Sequence, residues 1–113
     1  MSRYVYVNGR HVPYGQAHVH AEDRGYQFGD AVYEVCEVKV TRLVDETRHL
    51  DRLDRSLGEL SIAAPMSRAS WQRVLREVIR RNRVRDGSLY IQVSRGARPR
   101  EFLFTPAGTL TPT

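Results

Sequence analysis

The chain has 113 residues, of which 41% are hydrophobic and 27% charged, and this suits one globular domain with a modest core but leaves no room for two. The formal charge of +5 raises nucleic acid as a partner, but the arginines mostly alternate with acids, and the dense run at 80–85 is typical of a solvated helix end. Without a signal-peptide pattern, a bilayer-length apolar run or a second cysteine beside Cys36, the sequence predicts a cytoplasmic protein with neither membrane nor nucleic-acid partners.

The amino-terminal residues predict a β-hairpin. Residues 4–7 are strong strand formers, Asn8 and Gly9 supply the two positive-φ positions of a type I′ turn, and the returning strand ends at Pro13. A turn at residues 13–16 is expected next. This pattern is specific for structure and carries no information about function.

Residues 17–21 are expected to form a short strand in a region that is rich in histidine. His11, His18 and His20 lie close together in the sequence. No cysteine or carboxylate stands at metal-ligand spacing from them, and histidines are common on exposed strands. The sequence therefore predicts no metal site.

Ala31 to Val40 is the longest strand candidate in the chain. Alternation places Tyr33 and Val35 on one side, and the other side carries an apolar series that Glu34 interrupts: Val32, Cys36, Val38 and Val40. Tyr33 and Glu34 should therefore point in opposite directions. After a tight turn near Thr41 and Arg42, Leu43 and Val44 are expected to pair back onto this strand.

A first amphipathic helix is predicted from Arg48 to Leu60, where leucines recur at steps of three and four residues. Thr47 or Asp45 can cap its start. Arg52 lies beside the leucine stripe, so its guanidinium could emerge at the edge of the buried face. A surface ion pair is the alternative, with Asp51, Asp54 or Asp45 as the partner.

A second helix is predicted after Ser67, its expected cap, because an apolar stripe recurs at helical spacing through Trp71, Val74, Leu75, Val78 and Ile79. A turn at Asp86 and Gly87 leads into a half-buried strand at residues 88–95. The elements sum to an α+β fold, a mainly antiparallel sheet with two helices packed on one face. Residues 102–113 are rich in proline and threonine and are typical of a linker.

Four segments carry a family resemblance, in one order along the chain: Y-V-N-G at 6–9, D-R-G-Y-Q-F-G-D-x-V-Y-E at 23–34, E-T-R-H-L-D-R-L-x-R-S-L at 46–57 and Q-V-S-R-G-x-x-P-R at 92–100. They resemble the amino-terminal small domain of the D-amino-acid and branched-chain aminotransferases, which are fold-type IV pyridoxal-phosphate enzymes. The second segment is long and nearly contiguous, so a chance match is improbable. The resemblance implies residues 1–104 as the small domain and 105–113 as a linker.

The resemblance also implies a homodimeric, pyridoxal 5'-phosphate-dependent enzyme that moves an amino group between an amino acid and a 2-oxo acid. Arg52 would bind the cofactor phosphate, a role that suits a permanently charged, bidentate guanidinium. Tyr33 would hydrogen-bond the substrate carboxylate, Val35 would line the pocket, and Arg100 would reach into the neighbouring subunit to complete the carboxylate trap. Lys39 does not match the Schiff-base lysine, which would lie beyond Thr113, so this chain alone is expected to be inactive.

Two departures from the family pattern bear on the substrate. Phe102 stands where D-alanine-type members have a histidine, and Ala31 replaces the usual glycine after G-D. A D-amino-acid substrate is favoured, while a branched-chain L-amino acid, an amine or aminodeoxychorismate lyase chemistry stays open. An arginine-rich module that binds polyanions is the non-enzymatic alternative.

Overall fold

A computed structural model describes residues 3–100, 102–103 and 110–113 of the chain. The elements are β1 (Tyr4–Val7), β2 (Arg10–Pro13), α1 (Arg24–Phe28), β3 (Ala31–Lys39), β4 (Arg42–Leu43), α2 (Glu46–Glu59), α3 (Arg68–Arg81) and β5 (Gly87–Ser94), with a 3₁₀ turn at Tyr14–Gln16. The described strands form two antiparallel sheets, the β1-β2 hairpin and a three-stranded sheet in the order β4-β3-β5. The predicted α+β class is confirmed, although the hairpin is a separate sheet.

The hairpin forms as its turn residues predict. Asn8 and Gly9 both have positive φ, at 48° and 91°, which a type I′ turn requires. The Asn82 side chain, just past α3, ties the hairpin to the rest of the fold: it accepts from Tyr4 N at 2.9 Å and donates to Tyr4 O at 3.0 Å.

The strand expected at residues 17–21 is wrong. Residues 17–20 have no regular secondary structure, and Ala21 lies in a turn. Alternating side chains favour a strand only where a neighbouring strand supplies backbone hydrogen bonds, and none of the described strands pairs with this segment.

The core lies between the three-stranded sheet and the two long helices. β3 and β5 pair from Ala31 opposite Ser94 to Val38 opposite Gly87, so their alternating residues share one buried face. That face packs on the two long helices. The buried core side chains include Cys36, Val38, Leu89, Ile91 and Val93 from the sheet and Leu50, Leu53, Leu57, Trp71, Leu75 and Ile79 from the helices. Hydrophobic burial on this one face holds the layers together.

The turn between β3 and β4 is one residue earlier than predicted. Val40 and Thr41 occupy it, both with positive φ at 47° and 66°. Leu43 pairs with Val38, and Val44 N donates to Glu37 O at 2.9 Å, so the predicted return of the chain onto β3 is confirmed.

The two long helices begin differently. α2 starts at Glu46, two residues earlier than predicted, and Asp45 precedes it with a φ of 55° and no side-chain cap. Asp45 does not cap the helix because capping side chains reach the first-turn N–H groups from the extended region of φ and ψ. The alternative cap, Thr47, is also wrong, because it lies inside the helix. At the start of α3, Ser67 Oγ accepts from Ser70 N at 3.2 Å, so that predicted cap is confirmed.

Helix α1 was not predicted, since its five residues are too few to show a helical period. Asp23 Oδ1 caps it by accepting from Gly25 N at 2.9 Å, and Gly29 ends it with a φ of 67°. None of the helices among the described residues combines the length and apolar character needed to cross a bilayer.

The predicted linker lies partly outside the described residues, which omit 104–109. Thr113 pairs with the end of β5, because Ser94 N donates to Thr113 O at 2.8 Å and Thr113 N donates to Ser94 O at 3.3 Å. The last described residues therefore lie against the sheet.

Candidate functional site

The face of β3 that points away from the helices carries Tyr33 and Val35, both exposed. Tyr33 is 63% exposed and stacks on Tyr90 of β5, with ring centroids 5.7 Å apart and an interplanar angle of 16°. The Tyr90 hydroxyl donates to Gln92 Oε1 at 2.8 Å, while the Tyr33 hydroxyl has no hydrogen-bond partner among the described residues. Tyr33 therefore presents a free phenol on an open surface.

Glu34 points the opposite way, as the alternation predicts. Its side chain is only 5% exposed and is surrounded by three hydrogen bonds from α2. Arg52 Nε donates to Oε1 at 3.0 Å and to Oε2 at 2.9 Å, and His49 Nδ1 lies 2.7 Å from Oε1. A buried carboxylate is tolerated because it has such partners.

The pKa of Glu34 reflects the same balance. Burial alone raises it, but the hydrogen bonds and charges of Arg52 and His49 outweigh burial and hold the pKa below its ordinary value. The neighbouring thiol of Cys36 behaves differently, because burial, and after it the Glu34 charge, raises its pKa to about 11. Glu34 is thus an ionised carboxylate inside the fold.

Arg52 joins this buried carboxylate to the surface. Its side chain is 64% exposed, and its described hydrogen bonds all come from Nε, so Nη1 and Nη2 face outward without a described partner. The alternative of a surface pair with Asp51, Asp54 or Asp45 is wrong, because the described ion pair of Arg52 is with Glu34. Arg68 Nη2 pairs instead with Asp51, at 2.8 Å, and with Asp54, at 2.7 Å. The expectation that Arg52 emerges at the edge of the buried face is confirmed.

Arg52 and Tyr33 approach one segment of β3 from its two faces. The side of β3 opposite β5 is paired to β4 only at Val38 and Lys39, so the described strands leave the edge beside Tyr33 uncovered. The pKa of Arg52 is raised, first by the Glu34 hydrogen bond and most weakly by Tyr33.

Arg100 is not part of this grouping within the chain. Its guanidinium lies over the rings of Phe28, at 5.4 Å, and Phe102, at 5.3 Å, and none of its described contacts is with Tyr33 or Arg52. Cation–π contacts of this kind hold an arginine loosely at an exposed position. The structure therefore brings Tyr33, Val35 and Arg52 to one region and leaves Arg100 in another.

Comparison with known proteins decides the family. The model of the class IV amino-transferases matches residues 31–113. A D-alanine aminotransferase of Bacillus licheniformis is 42% identical over 97 residues, which are 86% of this chain and 34% of that protein. The chain belongs to the class IV aminotransferases. It spans about a third of the length of the curated relatives it matches.

Solved structures support the same fold. A branched-chain amino acid aminotransferase of Escherichia coli has a TM-score of 0.85 and 19% identity, covering 99% of this chain and 39% of that one. The 4-amino-4-deoxychorismate lyase of Pseudomonas aeruginosa has a TM-score of 0.69 and 26% identity over 85% of this chain and 33% of that one. The fold of the small domain of fold-type IV enzymes, which the resemblance implies, is confirmed.

Sequence reasoning missed two residues that surround Arg52 or its partner, Glu34 and His49. The sequence predicted the direction of the Glu34 side chain but no partner for it. Two signals in the sequence could have predicted that Glu34 and His49 are partners. Glu34 is an acid at a core-facing position of β3, and His49 is a basic residue beside the leucine stripe of α2, the helix that packs on that face. Buried charges need opposite partners, so these two positions predict each other.

A second ionic cluster, centred on Asp30, was also missed. Asp30 Oδ2 accepts from Arg24 Nε at 2.9 Å and from Arg95 Nε at 2.8 Å, and Arg95 also donates to the carbonyls of Ser61, at 3.0 Å, and Leu60, at 2.6 Å. Both guanidiniums are buried. This cluster joins α1, the start of β3, the end of α2 and the end of β5.

The remaining charged candidates have structural partners. In the dense arginine run, Arg80 and Arg81 both pair with Glu77, so part of the charge behind the polyanion alternative is neutralised locally. Lys39 is exposed and its described ion pair is with Glu37 at 3.7 Å. No group of three or more potential metal ligands occurs among the described residues.

Proposed function

We propose that this chain is the amino-terminal small domain of a pyridoxal-phosphate-dependent aminotransferase, with residues 1–104 as the domain and 105–113 leading towards a larger carboxy-terminal domain. Family membership and the one-third coverage of the relatives support this. The observation that carries the proposal is the placement of an outward-facing guanidinium, Arg52, beside a strand that exposes a free phenol, Tyr33.

Arg52 would bind the phosphate of the cofactor. Its Nη1 and Nη2 groups form two parallel donors, the geometry that a phosphate oxygen pair accepts. Glu34 occupies Nε on the far side of the guanidinium, so the phosphate-facing edge stays available. When bound, pyridoxal phosphate supplies the electron sink that lets an amino group leave one carbon skeleton and join another.

Tyr33 and Val35 would contact the substrate. The Tyr33 hydroxyl can donate to a substrate carboxylate, and Val35, two residues along the same face, would form an apolar wall. Arg100 would act on the site of the neighbouring subunit in a homodimer. Its contacts with Phe28 and Phe102 are compatible with that role, because cation–π contacts leave the guanidinium donors free.

The lysine that the reaction needs would come from outside this chain. A catalytic lysine is activated by desolvation or by nearby cations, whereas Lys39 is exposed beside Glu37. The chain alone would therefore not turn over. A cytoplasmic location is also proposed, because the thiol of Cys36 is buried and free and suits a reducing compartment.

A D-amino acid of the D-alanine type is the proposed amino donor. The 42% identity to a D-alanine aminotransferase supports it. Phe102 is exposed near Arg100 and offers no hydrogen bond to a carboxylate, so a bulkier or less polar substrate would also be accepted. The branched-chain aminotransferase and deoxychorismate lyase likenesses supply the competing substrates.

A donor screen tests the proposal. The full-length protein, loaded with pyridoxal phosphate, would be given D-alanine, L-leucine, a primary amine or aminodeoxychorismate, each amino donor together with 2-oxoglutarate. We expect pyruvate to form from D-alanine faster than any product forms from the others. Turnover of L-leucine or the amine alone would change the substrate class, cleavage of aminodeoxychorismate would replace transfer by lyase chemistry, and no turnover of any donor would contradict the proposal.

A further inference from the structure

Glu34 sits where a charge is costly, on the face of β3 that packs against α2, and it carries no role in the substrate or cofactor contacts described above. Both of its oxygens accept from the same atom, Arg52 Nε, at 3.0 and 2.9 Å. A buried carboxylate retained at such a place needs an explanation beyond stability, because apolar residues of similar volume are often at least as stabilising.

We propose that Glu34 is a positioning residue that fixes the guanidinium of Arg52 in the orientation needed to receive the cofactor phosphate. The inference rests on the proposed function, in which Arg52 binds that phosphate. Glu34 itself would touch neither cofactor nor substrate, because the guanidinium stands between the carboxylate and the surface.

The geometry of a guanidinium explains why one anchored nitrogen is enough. The group is planar and its five N–H donors have fixed directions, so a carboxylate centred on Nε sets the direction of Nη1 and Nη2 as well. An arginine side chain that is 64% exposed would otherwise sample many rotamers, and ordering it at the moment of binding costs free energy. Glu34 would meet that cost in advance.

His49 holds the carboxylate in turn. Its Nδ1 lies 2.7 Å from Glu34 Oε1, and it stands three residues before Arg52 on α2, so the two side chains lie on the same face of the helix. The carboxylate is thereby held between two residues of one helix. Its position on β3 then depends on the packing of the helix against the strand, which is the rigid part of the fold.

Charge and position predict opposite results when Glu34 is neutralised. The carboxylate carries a negative charge close to the phosphate site, so its charge alone repels a phosphate dianion. If Glu34 acted only through charge, Glu34→Gln would strengthen cofactor binding. If Glu34 positions Arg52, the same substitution weakens binding, because a neutral amide holds the guanidinium less firmly.

The test compares two forms of the cofactor on the full-length protein. Apoprotein carrying Glu34→Gln is titrated with pyridoxal phosphate and with pyridoxal, which lacks the phosphate, and binding is followed by absorbance. We expect the affinity for pyridoxal phosphate to fall about tenfold, the scale of one charge-assisted hydrogen bond, while the affinity for pyridoxal stays unchanged. An unchanged or increased affinity for pyridoxal phosphate would overturn the inference.

Glu37→Gln is the matched control. Glu37 lies three residues further along β3, on the exposed face, where its described ion pair is with Lys39. Glu37→Gln removes the same charge from the same strand without touching Arg52. The ratio of its affinities for pyridoxal phosphate and pyridoxal should therefore match that of the unaltered protein. An equal fall in both variants would show that the loss is not specific to Glu34 and would refute its positioning role.

A double variant separates this inference from the proposed function. If Glu34 acts through Arg52, Glu34→Gln combined with Arg52→Lys should lose no more affinity than Arg52→Lys alone. Additive losses would overturn the inference and leave the function standing. An Arg52→Lys variant that still favours pyridoxal phosphate over pyridoxal as strongly as the unaltered protein would instead remove Arg52 from the phosphate site and so contradict the proposed function.

Crystal structures of the unaltered full-length protein, with and without the cofactor, provide a measurement that needs no variant to fold. We expect Arg52 Nε to donate to Glu34 in both, with Nη1 or Nη2 on the phosphate in the loaded form. A guanidinium that leaves Glu34 when the phosphate binds would contradict the inference.

Discussion

Two carboxylates, Asp30 just before β3 and Glu34 within it, are each bound by arginine. The two clusters differ in how exposed those arginines are. At Asp30, both guanidiniums are enclosed, with side-chain exposures of 6% for Arg24 and 3% for Arg95. At Glu34, the guanidinium of Arg52 is 64% exposed. The first cluster binds four parts of the chain to one another, whereas the second holds a cation at the surface.

The difference shows which guanidinium is accessible to a ligand, and ion pairing alone does not show this. An enclosed guanidinium uses its donors within the fold, as Arg95 does on Asp30, Leu60 and Ser61. A guanidinium anchored at Nε keeps two donors for a ligand. Ion pairing to a buried acid is therefore compatible with either role, and the direction of the remaining donors decides between them.

Neutralising the enclosed cluster should have the largest effect. Asp30→Asn leaves two buried guanidiniums around a neutral amide, so we expect the free energy of unfolding of the full-length protein to fall by about 3 kcal/mol. Denaturant titration measures this. Asp51→Asn, which removes an exposed partner of Arg68, is the control and should cost less than about 1 kcal/mol. Equal losses would erase the distinction between enclosed and open clusters.

The two stacked tyrosines offer the same comparison for the substrate. The Tyr90 hydroxyl is engaged by Gln92, while that of Tyr33 is free. We expect Tyr33→Phe to raise the KM for the amino acid about tenfold, the scale of one hydrogen bond to a charged group. Tyr90→Phe should leave KM nearly unchanged. Steady-state kinetics of both variants decide this, and a larger effect of Tyr90→Phe would move the carboxylate site away from Tyr33.

Acid should weaken the ion pairs of both clusters and so lower the stability of the fold. We expect this loss to be smaller than that caused by Asp30→Asn at neutral pH. Burial raises the pKa of Asp30, but the hydrogen bonds of Arg95 and Arg24 outweigh it, so the pKa is lowered in the folded state, as it is for Glu34. A lowered folded pKa stabilises the fold fully above the ordinary value and loses that stabilisation as pH falls through the folded pKa. The loss should therefore begin near pH 4.5 for Glu34, the ordinary value for glutamate.

Thermal unfolding over a range of acidic pH checks this sign. Glu34→Gln should make the melting temperature depend less on pH below about pH 4.5. In the variant, unfolding no longer takes up a proton at residue 34. A variant that keeps the full acid dependence would show that Glu34 does not titrate as an ion-paired carboxylate.

Local patterns in the sequence were sufficient for most of the fold. The positive-φ pair Asn8-Gly9, the leucine spacing of α2 and the Ser67 cap each act within a few residues, so each could be read directly. The alternation on β3 also placed Tyr33 and Glu34 on opposite faces. The short helix α1 and the uncapped start of α2 depend on local backbone conformations, which the spacing of apolar residues does not predict.

The contacts that build the site are long-range and could not be read in the same way. Glu34 and Arg52 are 18 residues apart, and Asp30 and Arg95 are 65 apart. Three acids near Arg52 in the sequence, Asp45, Asp51 and Asp54, looked like equal or better partners. Arg68, from the next helix, binds two of them, and packing of α2 on β3 then leaves Glu34 for Arg52.

The phosphate preference of an Arg52→Lys variant tests the central claim most directly. A lysine keeps the charge but loses the paired donors, so in the full-length protein we expect the affinity for pyridoxal phosphate to fall at least about tenfold with no change for pyridoxal. Arg55→Lys, one turn along α2 in an exposed pair with Glu59, should change neither. An Arg52→Lys protein that binds pyridoxal phosphate as tightly as the unaltered protein would contradict the account.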